Sequence, residues 1–332
     1  MIRTKNIGDN IVRRKNVILP RILIFLACVL VVFLLTFFTI KILNRFVYSD
    51  SSVNYLYSNW DKYNKLVEEQ KYDESQEVLK NIYSACDKSI SKNSCNAAAR
   101  MFKGYTAFLL SESELNQEKV MEYIDTSIFN LRVALSNCNK KALPQIQYML
   151  GKVYYYKNKI SNYNFYYDLV IKYLNLAEEN GFKTNDIDLL KGFSYYELGM
   201  YDLSLKSCTE ALLTRNSDSL LLLIAKLYYV QNIYSVAKQY LFRVNECSED
   251  EDILLSAKKL LAQIYLTEKE YDSAEKEFNS ILEKNKNYTD AYYGLGVIYE
   301  ERGDAVKARA LWRQCLKIDR NYQGAIKKLA EK

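Results

Sequence analysis

Residues 289–322 read TDAYYGLGVIYEERGDAVKARALWRQCLKIDRNY. Large apolar residues recur at three- and four-residue spacings on both sides of Gly303-Asp304, the mark of two amphipathic helices joined by a tight turn. Gly296 lets the second helix approach the first closely, and Ala308 does the same from the other side. Gly303 is placed to end the first helix in the left-handed region, which glycine enters at little cost.

The order Tyr292-x2-Leu295-Gly296-x2-Tyr299, Gly303-Asp304, Ala308-x3-Trp312 resembles the tetratricopeptide repeat (TPR) signature W-x2-L-G-x2-Y…A-x3-F. The family's closing Pro is absent, and Arg320 stands in its place. The resemblance implies an all-α solenoid: pairs of antiparallel helices stacked into a right-handed superhelix that binds partner proteins in a concave groove. It implies interaction, not chemistry.

Working backward, Leu261-Ala262-x2-Tyr265 with Tyr271-x2-Ala274-x3-Phe278 repeats the unit, as does Ile224-Ala225-x2-Tyr228 with Tyr234-x2-Ala237-x3-Leu241. Gly192-x2-Tyr195 with Cys208 and Leu150-Gly151-x2-Tyr154 with Leu174 and Ala177 mark two more. Units therefore start near residues 56, 97, 144, 185, 218, 255 and 289, which gives about seven helix pairs. The extra residues of the early units are expected in turns near Ser111–Gln117 and Lys157–Asn164 and in a connection at Asp87–Asn93. Residues 144–321 read as TPR repeats and 322–332 as a solvating cap helix. Residues 56–143 read as divergent TPR-like repeats on helical period, which leaves a divergent helical bundle open. The phrase LAEENGF (Leu176–Phe182) is also similar to Sel1-like repeats.

Composition agrees with helices. The 332 residues hold only 10 Gly and 2 Pro, too few for a β-sandwich, a barrel or a Gly-loop nucleotide fold. There is no His, which removes Ser-His and Cys-His nucleophile pairs and imidazole zinc sites. No P-loop, G-x-G-x-x-G, G-x-S-x-G or C-x-x-C occurs. Paired acids such as Glu68-Glu69, Glu178-Glu179 and Glu300-Glu301 read as solvated helix ends. The chain is therefore expected to be no enzyme and to take no cofactor, metal or small-molecule substrate. The net charge of +6 is concentrated in residues 1–45, with eight basic residues against Asp9. The remainder carries 38 basic and 39 acidic residues, so it has no footprint for nucleic acid.

Ile22–Ile40 is nineteen residues without a charge, bracketed by Arg21 and Lys41. At ~1.5 Å per residue it spans about 28 Å, close to a ~30 Å hydrocarbon core. It reads as a single transmembrane helix, extendable to residue 43, behind a basic tail at 1–21 and ahead of a short linker at 46–55. The run is too long for a signal peptide, no A-x-A-like site follows it, and apolar residues continue beyond Cys28, against a lipoprotein. Six basic residues precede the run and only Lys41 and Arg45 closely follow it. The positive-inside rule then puts the N-terminus in the cytoplasm and the array outside, periplasmic in a bacterium. A cytoplasmic array is the alternative.

The 30 Tyr form a pattern. Tyr154-Tyr155, Tyr195-Tyr196 and Tyr228-Tyr229 recur at one place in successive units. The first of each is the repeat's core tyrosine; the second is turned by ~100°, towards the groove. That phase gives an expected groove lining of Trp60, Asn64 and Val67; Met101, Tyr105 and Phe108; Tyr148, Lys152, Tyr155 and Tyr156; Leu189, Phe193 and Tyr196; Leu222, Lys226 and Tyr229. Lys259, Gln263, Tyr293 and Glu300 follow. Such a surface suits apolar side chains of a peptide or an amphipathic helix, although tyrosine also packs cores and Trp60 also fits an interfacial anchor. The two-carboxylate clamp of Lys and Asn used by some TPR proteins is not present as a set. Cys86 and Cys95 flank the first connection, and outside the cytoplasm they are candidates for a disulfide. The reading is a membrane-anchored interaction scaffold, with a self-associating structural component as the alternative and an enzyme accessory last.

Overall fold

A computed structural model describes Thr36 and residues 51–161 and 165–331. Apart from Thr36, the expected spanning segment Ile22–Ile40 lies outside the described residues. Among the described residues, no helix is long and apolar enough to cross a membrane. Fifteen helices account for the regular structure of the described residues. They divide into two compact units, one ending at Glu114 and the other beginning at Leu115.

The first unit holds α1 (Ser51–Glu68), α2 (Tyr72–Lys92) and α3 (Ala97–Glu112). Leu56, Leu66, Leu79, Ile82 and Phe102 are buried in it. The Phe102 ring meets Tyr57 edge-on at 4.9 Å and Trp60 at 5.6 Å. Lys103 is buried but satisfied: its Nζ donates to Asp87 Oδ2 at 2.8 Å and lies over the Tyr83 ring. Two expectations are corrected here. The linker placed at 46–55 is cut short, because α1 already begins at Ser51. The connection placed at Asp87–Asn93 is helical as far as Lys92. Nothing in Tyr72–Lys92 breaks a helix, since the segment has no Gly or Pro.

The second unit holds α4 (Gln117–Asn137), α5 (Leu143–Ile160), α6 (Tyr167–Glu179), α7 (Ile187–Glu197) and α8 (Tyr201–Thr214). It continues through α9 (Asp218–Val230), α10 (Tyr234–Cys247), α11 (Glu251–Thr267), α12 (Tyr271–Lys284), α13 (Thr289–Glu301), α14 (Ala305–Ile318) and α15 (Gln323–Ala330). The early excess length goes largely into helices: α2 and α4 have 21 residues each, against 14 for α8, α10, α12 and α14.

One device ends α1, α7, α9, α11 and α13. At the end of α13, Gly303 N–H donates to Glu300 O and Asp304 N–H to Tyr299 O, with φ +82° at Gly303. This is the Schellman cap, which satisfies carbonyls the helix leaves unpaired. The same bonds recur around Gln70, Gly199, Asn232 and Lys269, all at positive φ. Helix starts are capped locally: Asn116, Ser217, Asp250 and Asp304 side chains accept from the first-turn amides.

Close approach follows from the small residues. A Cβ on Gly296 would lie 2.2 Å from Trp312 Nε1, and that indole donates to Tyr293 O at 3.3 Å. The core runs as a series of clusters between neighbouring pairs. Leu255, Ala274, Phe278, Ala291 and Leu295 form one, and Ala308, Trp312, Cys315 and Ala325 form the last, which α15 covers.

Candidate functional site

In the second unit, α5, α7, α9, α11 and α13 contact one another in series, while α6, α8, α10 and α12 pack behind them between successive members. The first helices therefore lie closest together and form the inner face of the stack. This is the face on which the groove residues were expected.

The structure places those residues unevenly. Tyr156, Phe193, Tyr196, Lys226 and Tyr229 are half-buried on the inner helices, as are Tyr148, Lys152 and Leu189. Lys259, Gln263, Tyr293 and Glu300 are half-buried as well. Tyr155 and Leu222 are buried, at 7% and 6% exposure. In the first unit Asn64 and Val67 are exposed and Trp60 is half-buried, but Met101, Tyr105 and Phe108 are buried.

The expectation that the second tyrosine turns towards the groove is corrected at Tyr155, which is buried, while Tyr196 and Tyr229 are half-buried. At Tyr155 a turn of ~100° carries the ring only as far as the seam between adjacent inner helices. Tyr155 sits in that seam, with its ring 6.4 Å from Phe193 and edge-on to Tyr156 at 5.9 Å. Burial accordingly pushes its phenol well above the ordinary range. Tyr196 pairs with Tyr201 at 5.8 Å and Tyr229 with Tyr234 at 5.8 Å, each across its own turn. In α3 every residue from Met101 to Phe108 is buried, so that helix offers little surface there.

The polar groups of the inner face form a ladder that the aromatic pattern did not reveal. Tyr148 Oη donates to Asp186 Oδ2 at 2.5 Å, and Lys152 Nζ lies 4.0 Å from the same oxygen. Three junctions on, Lys259 Nζ donates to Asp290 Oδ2 at 3.0 Å, and Tyr322 Oη donates to Asp290 Oδ1 at 2.8 Å. Asp186 and Asp290 each lie nine residues before a core tyrosine, Tyr195 and Tyr299. That shared register was the available signal. Lys226 has its ammonium pKa lowered by burial and then by the charge of Lys259, with Glu197 opposing.

The disulfide expectation is corrected. Cys86 is buried and its thiol is pushed up to about 12, chiefly by burial, while Cys95 is exposed, and both are free. Cys86 faces the core on α2, while Cys95 lies in the exposed connection that follows that helix. Among the described residues, no group of three or more Cys, Asp or Glu converges as a metal site would require.

A tetratricopeptide repeat family model matches residues 265–332. No curated protein matches the chain. Among solved structures, the C-terminal part of a TPR repeat-containing protein from Cytophaga hutchinsonii is 16% identical with a TM-score of 0.51, over 81% of this chain and 98% of that one. A chain of the APC/C hetero-tetramer Cut9–Hcn1 is 14% identical with a TM-score of 0.50, over 88% of this chain and 50% of its own length. At such identities the likeness is one of fold. Residues 265–332 thus match tetratricopeptide repeat sequence, and the helices of the second unit stack as a TPR-like helical-repeat solenoid.

Proposed function

We propose that this chain is a membrane-anchored scaffold that holds a segment of a partner protein against the inner helices of its second unit. TPR arrays generally serve as interaction scaffolds, because stacked repeats build an extended concave surface. The observation that carries the reading is the inner face of α5, α7, α9 and α11, where Tyr156, Phe193, Tyr196, Tyr229 and Gln263 are only half-buried. Rings with polar tips in such a place suit apolar anchors from a peptide or an amphipathic helix. The reading includes no reaction step.

Anchoring rests on the uncharged run Ile22–Ile40. Ten residues separate Ile40 from the start of α1 at Ser51, a reach of at most about 35 Å. The scaffold would therefore work near the lipid surface. The charge bias across the run favours a cytoplasmic N-terminus and an extracytoplasmic array.

A photoreactive benzoylphenylalanine in place of Tyr229 tests the groove in cells. It should capture a discrete partner, while the same group at exposed Gln239 on the outer helix α10 should not. Equal capture at both positions defeats the reading. A reporter fused to the C-terminus should be active outside the cytoplasm, and release of the full chain from membranes by alkaline carbonate would remove the anchor.

A second reading, self-association, has its own observation. Leu198, Met200, Leu203, Val230 and Ile233 are 40–48% exposed in or beside the turns after α7 and α9, and Phe165, just before α6, is 70% exposed. Gln231 Nε2 reaches Asp202 Oδ1 at 3.5 Å, so the turns after α7 and α9 are neighbours. If this rim joins copies, Met200→Glu should turn a detergent-solubilised oligomer into a monomer.

A further inference from the structure

The ladder on the inner face obeys a rule at three of its four junctions. Two residues before the core tyrosine, or six before it, an inner helix carries a cation or hydroxyl. Nine residues before its own core tyrosine, the next inner helix carries the acid. From α5 to α7 both are present, as Lys152 and Tyr148 with Asp186. From α11 to α13 both are present, as Lys259 with Asp290. From α7 to α9 both are missing: Phe193 and Leu189 stand at the donor places and Ser219 at the acid place.

The junction from α9 to α11 breaks the rule. Lys226 stands two residues before Tyr228, as Lys152 does before Tyr154. Nine residues before Tyr265, where the acid belongs, stands Ser256. Among the described residues Lys226 makes neither a hydrogen bond nor an ion pair, although it is half-buried. Its neighbour Lys259 has its carboxylate in Asp290 and adds repulsion instead of relief. Along its own helix face, Leu222 and Tyr229 lie one turn to either side.

Glu197 offsets the Lys226 charge only in part and without contact, and a half-buried ammonium with no carboxylate against it is costly, a cost that falls when an anion arrives. We infer that Lys226 is the docking point for a carboxylate of the partner, an Asp or Glu side chain carried beside an apolar one. The inference rests on the groove reading above and names the chemistry that groove selects. The other ladder cations, Lys152 and Lys259, are already served by Asp186 and Asp290, so Lys226 is the rung left to discriminate an acidic segment from a neutral one. An anionic partner residue would stand where the missing ladder acid would have stood, with the Tyr229 ring and the apolar neighbours shielding the pair from water.

Zero-length coupling of the full chain in its native membranes tests this. A water-soluble carbodiimide activates a carboxylate, and an amine in contact with it displaces the urea to form an amide. Mass spectrometry should find Lys226 joined to an Asp or Glu of another polypeptide. Ser256→Asp should lower that product at least fivefold and replace it with a bond inside the chain, because the ladder is then complete. Benzoylphenylalanine at Tyr229 should capture the same polypeptide in both backgrounds. If Tyr229 captures a polypeptide to which Lys226 never couples, the carboxylate inference is overturned and the groove stands. If neither captures anything, both fall. If Ser256→Asp leaves the intermolecular product unchanged, Lys226 is not governed by the ladder and the inference is likewise overturned.

Discussion

Gly296 and Trp312 occupy a single packing site: the hydrogen on the glycine Cα is all that fits between its backbone and the indole, since a methyl there would sit 2.2 Å from Nε1. Gly296→Ala must push Trp312 off its bond to Tyr293 O. Overpacking of this kind costs about 1–3 kcal/mol. In a stack held by neighbour contacts the damage should stay local. Hydrogen exchange should therefore accelerate in α13, α14 and α15 and remain unchanged in α5 to α8. Trp312 is one of only two tryptophans, so its emission should also shift to the red.

The same contact explains what the sequence made legible. The Gly296–Trp312 spacing is a rule about distance between two helices, and it repeats as Gly192 against Cys208 and Gly151 against Leu174. Rules of that kind are local, and so the pairing of helices could be read directly. The first helices of the seven expected units begin at Ser51, Ala97, Leu143, Ile187, Asp218, Glu251 and Thr289, within five residues of the starts read from sequence. Burial on the inner face was not legible in the same way. Whether Tyr155 faces solvent depends on how closely α5 and α7 approach, and no residue spacing within α5 encodes that distance. Phe108 and Met101 failed for the same reason, because helical phase names a direction and not what stands in it. Asp186 and Asp290 were visible only by comparing repeats with each other, since acids in a first turn have an ordinary explanation in the helix dipole.

Lys269 marks a turn that evolved without the residue it favours. It holds φ +63° in the cap after α11, where the equivalent turns after α7 and α13 use Gly199 and Gly303. A side chain in that region costs roughly 1–2 kcal/mol, partly offset in a Gly variant by the extra freedom of the unfolded chain. Lys269→Gly should thus stabilise the second unit by about 0.5–1 kcal/mol. Thermal unfolding should show a small upward shift, and Gly303→Ala should show the reverse.

Completing the ladder should strengthen the free protein as well as blunt its binding. A carboxylate at position 256 would pair with Lys226, in the way Asp186 serves Lys152 at 4.0 Å. Half-exposed pairs of this sort contribute roughly 0.2–1 kcal/mol. Ser256→Asp should raise the melting temperature at low salt, and the gain should shrink at 1 M salt, where the Debye length is about 3 Å. The sign at high pH follows from Lys226. Its lowered ammonium pKa means the folded state disfavours the charge, so that penalty is full below the folded pKa, shrinks as pH rises past it and is gone above the unfolded pKa. Lys226→Met should therefore stabilise at pH 7 and make little difference near pH 11.

Acid should loosen the C-terminal end of the stack through Glu275. Its carboxylate accepts from the Tyr299 hydroxyl and, at 2.6 Å, from Arg302 Nη1, while Arg302 Nη2 reaches Asp272 at 2.5 Å. The Tyr299 bond first, and then Arg302, hold Glu275 below the usual carboxylate range against its partial desolvation. A carboxylate with a depressed folded pKa adds stability above its unfolded pKa, and that contribution is lost as pH falls through the folded value. Because the group remains partly open to solvent, its share is below roughly 1 kcal/mol. Glu275→Gln should lower the melting temperature at pH 7, and the gap from the unaltered chain should close by pH 3. A gap that persists at pH 3 would mean Glu275 acts by packing across the α12–α13 junction, and the charge network would then have no part in holding Tyr299 and Arg302 against α12.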